Sequence, residues 1–217
     1  MNTTFDIRGN CVRIKADIKG RGLKFRGSGV LYPLESDVQY DYVLTAQHIL
    51  KDGNKKFTNA IKKISSIEFD LFEGGSFVTY QTIAKDDVAS SLLPVGDDLL
   101  FIKIDKAGKQ FAPFLLADDL IEEKPMRLYG VSKEAQDLII GLDCKCVDKK
   151  VEMVNITSPV SKMSSLKGMS GGGMFALNLP LMYGVLWKEA ASGGEFHNVR
   201  ISQALEEQIK VKLSQRS

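Results

Sequence analysis

Histidine and cysteine are scarce in this sequence: 217 residues hold two histidines and three cysteines. Cys11, Cys144 and Cys146 are odd in number, so a framework that pairs every cysteine is excluded. A structural zinc site normally takes four ligands. Cys144 and Cys146 form a C-x-C pair whose side chains share a face if the segment is a strand. Only His48 and His197 remain to complete such a set, and no metal or cofactor is expected. Long apolar runs are missing too. No segment reaches the ~18 residues of a membrane-spanning helix, and no membrane partner is expected. The start "MNTTFDIRGN" lacks the basic and apolar segments of a secretion signal. With its unpaired thiols, this predicts a cytoplasmic protein. Charge of one sign is also lacking. Lys and Arg number 29, Asp and Glu 27, and a net charge of +2 gives no overall pull toward nucleic acid. The basic runs "KGRGLKFR" (19–26) and "KDGNKK" (51–56) read as solvated loops.

What is present points to a β protein. Apolar residues make up 44% and charged residues 26%, the balance of a folded chain. Most of the sequence is short runs rich in Val, Ile, Leu, Phe and Tyr, broken by Gly, Asp, Asn and Lys. Strands are predicted at 11–16, 25–33, 40–46, 66–72, 76–84 and 99–104. A later set is predicted at 125–132, 137–147, 152–158, 172–177, 181–187 and 198–202. The segment 105–124 carries Pro113 and a charged cluster and reads as a connector between two halves. In the tail, Ile201, Leu205, Ile209 and Leu213 recur at spacing four, which predicts a C-terminal helix with one apolar stripe.

The glycine-rich stretch "GMSGGGMF" (168–175) raises the question of chemistry. It is not a P-loop, which needs G-x-x-x-x-G-K-[ST] opening a helix, nor a G-x-G-x-x-G dinucleotide loop. It matches the G-x-S-x-G elbow of α/β-hydrolases literally. That fold, however, places acid and histidine after the serine and alternates strands with helices. Here His48 in "LTAQHIL" and Asp98 in "DDLLFIKI" both come before Ser170.

Three motifs in the order His, Asp, Ser on an all-β background resemble those of the trypsin/chymotrypsin-like serine proteases. The family's motifs read T-A-A-H-C, D-[IL]-x-L-[LI]-[KR]-L and G-D-S-G-G-P-[LV]. "GSGVLYP" (27–33) before the histidine strand and "YGVLW" (183–187) after the serine also fit. The resemblance implies two six-stranded antiparallel Greek-key β-barrels and a C-terminal helix. Residues 1–112 would form the first barrel and 113–217 the second, together one protease domain. It implies a serine endopeptidase acting on a protein or peptide. Ser170 would be the nucleophile, His48 the general base and Asp98 its orienting acid, with the N–H groups of Gly168 and Ser170 as oxyanion hole. Asp97 competes with Asp98, but the apolar run that follows the family's acid starts here at Leu99, which selects Asp98.

The resemblance also has gaps. Met169 stands where secreted members carry an Asp that receives a new amino terminus, so that switch is not expected. Gly173 stands where they carry proline, and is expected to loosen the loop. Ser164, six residues before the nucleophile, would floor the substrate pocket without a charge, favouring a small or apolar side chain. Trp187 would line it, and Lys188 or Glu189 would intrude on its wall. Lys167 reads as solvated. The chain looks more like the high-temperature-requirement branch, or like stand-alone bacterial trypsin-like domains, than like the secreted members. Such domains serve as defence or stress effectors, which implies an activating protein or fused sensor domain as partner. The alternative reading is a catalytically silent, protease-like binding or scaffold domain.

Overall fold

The computed structural model describes residues 6–34, 37–51, 57–95, 98–117, 125–148, 153–156, 166–190 and 193–198. The helix expected over 201–213, Asp97, and Ser164, expected to floor a substrate pocket, lie outside these. The first half contains strands β1 (Cys11–Ile18), β2 (Leu23–Tyr32), β3 (Tyr40–Ala46), β4 (Ile64–Glu73), β5 (Ser76–Ala84), β6 (Leu92–Val95) and β7 (Leu99–Asp105). Two short helices, α1 (Phe57–Ile61) and α2 (Lys85–Ser91), sit between them. The second half contains β8 (Leu115–Leu116), β9 (Pro125–Ser132), β10 (Leu138–Asp148), β11 (Met153–Ile156), β12 (Gly173–Ala176), β13 (Leu181–Ala190) and β14 (Gly193–Asn198).

The strand orders are β5-β4-β1-β2-β3-β7-β6 and β12-β9-β10-β11-β14-β13-β8, with β12 also paired to β13. In each, a fourth strand returns beside the first of three consecutive ones, which is the Greek-key order. All pairings are antiparallel except β8 with β13. Two points correct the expected pair of six-stranded barrels. Among the described residues each sheet has seven strands, and the first is open, ending on β5 and β6. Where β5 approaches β7, a side-chain bond from Gln81 Nε2 to the Asp105 carbonyl (3.2 Å) stands in place of a backbone ladder. The extra strands are β6, which contains Pro94, and the two-residue β8 inside the segment read as a connector. The last strand among the described residues is Gly193–Asn198, and the predicted 198–202 lies outside them except for Asn198.

Two kinds of strand follow from how many faces are buried. In β1, Val12, Ile14, Ala16 and Ile18 point into the first core, while Arg13 and Lys15 face outward. They pair there with Asp70 and Glu68 on β4. That is the alternation of a strand with one wet face. β3 and β7 bury both faces. Val43, Leu100, Ile102 and Ile104 join the first core. Tyr42, Leu44, Leu99 and Phe101 join a second cluster with Phe114, Phe175, Met182 and Val185 from the other half. The run "LLFI" is therefore apolar throughout: its two faces serve the core of one half and the junction between halves. A third cluster, including Met126, Leu128, Met169, Met174 and Tyr183, fills the second half.

Candidate active site

The ladder between β3 and β7 brings His48 and Asp98 together. Ala46 pairs with Leu99, so the end of one strand lies against the start of the other. The Gln47 N–H donates to the Asp98 carbonyl (2.5 Å), and Gln47 Nε2 donates to the Leu99 carbonyl (3.0 Å). The chain then turns through a short 3-10 helix, Gln47–Leu50, which lifts His48 off the sheet. Both carboxylate oxygens of buried Asp98 meet His48. Oδ1 accepts from the backbone N–H (2.9 Å) and Oδ2 lies 2.7 Å from ring Nδ1. An ionised carboxylate only accepts, so Nδ1 carries a proton, and in the neutral imidazole the lone pair is then on Nε2. The imidazole is partly exposed, which leaves Nε2 open to proton transfer. Lys51 Nζ stands 3.7 Å from Oδ1, a cation beside the same carboxylate.

Ser170 sits in two linked turns. The Met169 N–H donates to the Leu166 carbonyl (2.9 Å), and the Gly172 N–H donates to the Met169 carbonyl (2.7 Å). The third residue of each turn is a glycine at positive φ, Gly168 (+91°) and Gly171 (+87°), the mark of a type II turn. Gly171 is also pressed against its neighbours: a Cβ there would overlap the Ser28 carbonyl and Thr45 Oγ1. Trans peptides point N–H and C=O in opposite directions. The carbonyl of Lys167 is held by the Lys133 N–H (3.0 Å), which aims the Gly168 N–H the other way. The Met169 carbonyl, held by Gly172, does the same for the Ser170 N–H. Neither of these two N–H groups donates to the chain among the described residues.

Three sets of bonds dock these turns. Gly171 N–H donates to the Leu186 carbonyl (2.7 Å), and Leu186 N–H donates to the Gly172 carbonyl (2.9 Å), tying the loop to β13. Trp187 follows directly, partly buried against the first core, with Lys188 Nζ 5.6 Å from its ring centre. Met169 is fully buried in the third cluster, anchoring the loop by an apolar side chain. Ser28, fully buried on β2, reaches across the junction between halves. Its N–H donates to the Ser170 carbonyl (2.8 Å), its hydroxyl donates to the Gly168 carbonyl (2.8 Å), and the Val131 N–H donates to that hydroxyl (2.7 Å). Thr45 Oγ1 in turn donates to the Ser28 carbonyl (2.6 Å). A Cβ at neighbouring Gly27 would lie 2.7 Å from the Ser170 carbonyl and 2.9 Å from the Ile49 side chain. The serine turn thus lies against the residue after His48.

Ser28 carries no motif signal of its own. Its only trace in the sequence is a run of three small residues, Gly27-Ser28-Gly29, in an otherwise bulky strand. The expectation for Gly173 is corrected. It is buried in β12, pairs with Tyr129 and Val185, and a Cβ would meet Phe175 and Val30 at 2.7 Å. Tight packing, not loop freedom, accounts for it. Cys144 is buried in the third cluster, and no group of three metal-binding side chains occurs among the described residues. No helix among them is long and apolar enough to cross a membrane.

No family model matches the chain, and no curated protein matches it. Solved structures do. Kallikrein-related peptidase 10 matches with a TM-score of 0.58 at 14% identity, over 94% of this chain and 96% of that one. The Rv3671c protease from M. tuberculosis, in its active form, matches with 0.57 at 10% identity, over 94% and 81%. The serine endoprotease from Yersinia pestis matches with 0.55 at 18% identity, over 95% of this chain and 63% of that one. The chain therefore has the chymotrypsin-like fold of trypsin-like serine proteases along nearly its whole length.

Proposed function

We propose that the chain is a serine endopeptidase. One observation carries the reading: an imidazole held at Nδ1 by a buried carboxylate, beside a serine turn with two undonated N–H groups. His48 Nε2 takes the proton of the Ser170 hydroxyl as its oxygen attacks the carbonyl carbon of a peptide bond. The tetrahedral oxyanion is met by the N–H groups of Gly168 and Ser170, where losing one donor costs about 10²–10³ in rate. His48 then gives the proton to the leaving amine, and water repeats the sequence on the acyl-enzyme. Asp98 holds the tautomer and stabilises the imidazolium. Substrates are proteins or peptides with a small or apolar residue before the cut, the preference inferred from Ser164.

The burial of Met169 and the bonds from Ser28 and Lys133 support a loop set in working shape without an activating ion pair. They favour a constitutive enzyme over one switched on by a partner or sensor domain. A fluorophosphonate probe should label Ser170, and Ser170→Ala should abolish both labelling and peptide hydrolysis without lowering the melting temperature. Failure of the wild-type protein to label would remove the peptidase reading and leave a binding domain.

A further inference from the structure

Strand β2 passes the serine turn with an irregularity. Ile14 pairs with Gly27 and Lys15 with Phe25, so Arg26 is left opposite nothing. Such a bulge turns a side chain out of the regular alternation, and bulges are frequent beside active sites. Arg26 is partly buried. Its Nε is shut off from solvent, with no hydrogen-bond partner. No carboxylate among the described residues pairs with its guanidinium. A buried donor without a partner is costly. Nε itself is out of a substrate's reach, but the side chain is only partly buried, which leaves its exposed part to meet an acceptor arriving at the serine turn.

The surroundings fit an anion. Gly27, the next residue, packs against the Ser170 carbonyl. Phe25, the residue before, lies 3.0 Å from the Cβ position of Gly168. Lys133 Nζ sits over the Phe25 ring at 5.0 Å from its centre, and Lys167 is exposed beside Gly168. The turn that begins at Lys133 holds two acids, Glu134 and Asp137; Asp137 faces Arg13 (3.5 Å), and Asp98 is committed to His48.

We propose that Arg26 selects substrates with an aspartate or glutamate close to the scissile bond, on the flank where β2 passes the serine turn. A carboxylate there accepts from the accessible part of the guanidinium, and Lys133 and Lys167 add attraction without fixed geometry. The inference rests on the peptidase reading and names the substrate class of that same site.

The test uses paired quenched-fluorescence peptide libraries, random except for a single Glu or Gln moved position by position. The wild-type protein should cleave the Glu set with a kcat/KM about tenfold above the Gln set at one or two neighbouring positions, the usual worth of one charge-assisted bond. Arg26→Gln should bring that ratio to about one, and Arg26→Lys should keep part of it. Binding of the preferred Glu peptide and its Gln counterpart to Ser170→Ala, read by fluorescence anisotropy, should show the same ratio without turnover. If Arg26→Gln does not fold, Arg26→Lys and the salt dependence decide: the wild-type ratio must shrink as ionic strength rises. Equal rates for Glu and Gln sets at every position overturn the proposal, as does a preference that survives Arg26→Gln. Absence of Ser170-dependent hydrolysis refutes the peptidase reading instead, and the anisotropy ratio alone then judges Arg26.

Discussion

Replacing Ser28 by alanine removes one hydroxyl and unmakes two bonds at the junction between the halves. The Val131 N–H loses its acceptor in a buried position, and the Gly168 carbonyl loses its donor in a partly buried one. A buried polar group left unpaired costs about 1–3 kcal/mol. Water reaches the carbonyl more easily than the N–H, so the total comes to about 2–4 kcal/mol. For a chain of this length each kcal/mol shifts the melting temperature by about 2–4 °C. A fall of roughly 5–15 °C is expected, followed by near-ultraviolet circular dichroism. The rate should fall further than stability requires, because the freed carbonyl belongs to the peptide joining Gly168 to Met169, inside the proposed oxyanion loop. A small displacement there costs about ten- to a hundredfold in acylation. The assay is the rate of fluorophosphonate labelling, at a temperature where both proteins are fully folded. Thr45→Val, which releases the Ser28 carbonyl, should combine with Ser28→Ala less than additively, since both act through one residue. An unchanged melting temperature refutes the bond accounting. A lowered one with unchanged labelling shows that the hydroxyl holds the halves together but does not set the loop.

Gly171→Ala should destroy labelling and leave little folded protein, because its Cβ collides with two fixed oxygens at positive φ. Gly74→Ala, also at positive φ but in open space, should cost only about 1 kcal/mol in denaturant unfolding. Met169→Leu should remain active and lose less than about 1.5 kcal/mol. Met169→Asp should unfold the second half or melt far lower, since it would put a carboxylate among the apolar side chains of the third cluster. Burial pushes the Cys11 thiol up to about 12. The neutral thiol's contribution is thus fully present below the ordinary thiol value of about 8.5 and is lost as pH rises toward 12. Urea unfolding should show wild-type stability falling more steeply than that of Cys11→Ala over this range, by up to about 1.4 kcal/mol per pH unit. Equal slopes would argue against a buried thiol.

Strands with one wet face were legible because alternation is written in the chain. The predicted 76–84 and 125–132 coincide with β5 and β9, while 40–46 coincides with β3 as an apolar run buried on both faces. β6 was not, because a four-residue strand with a proline has too little pattern to read, and α2 escaped because seven residues span barely two turns. The three chemical motifs were visible because each lies where a strand ends in a turn, and such places need particular residues: Asp98 before "LLFIKI", Ser170 between glycines.

By itself the sequence determined a β chain in two halves, and a histidine, an aspartate and a serine in the order of one protease family. It did so because local pattern and turn chemistry depend on near neighbours. Only the tertiary structure decided that Asp98 holds His48 through both oxygens. It also decided that Ser28 fastens the serine turn from 140 residues away, and that Gly173 is packed rather than loose. It left Arg26 Nε without a partner among the described residues, at a one-residue slip between β1 and β2. These depend on the register and docking of segments far apart in the chain, which no window of sequence contains.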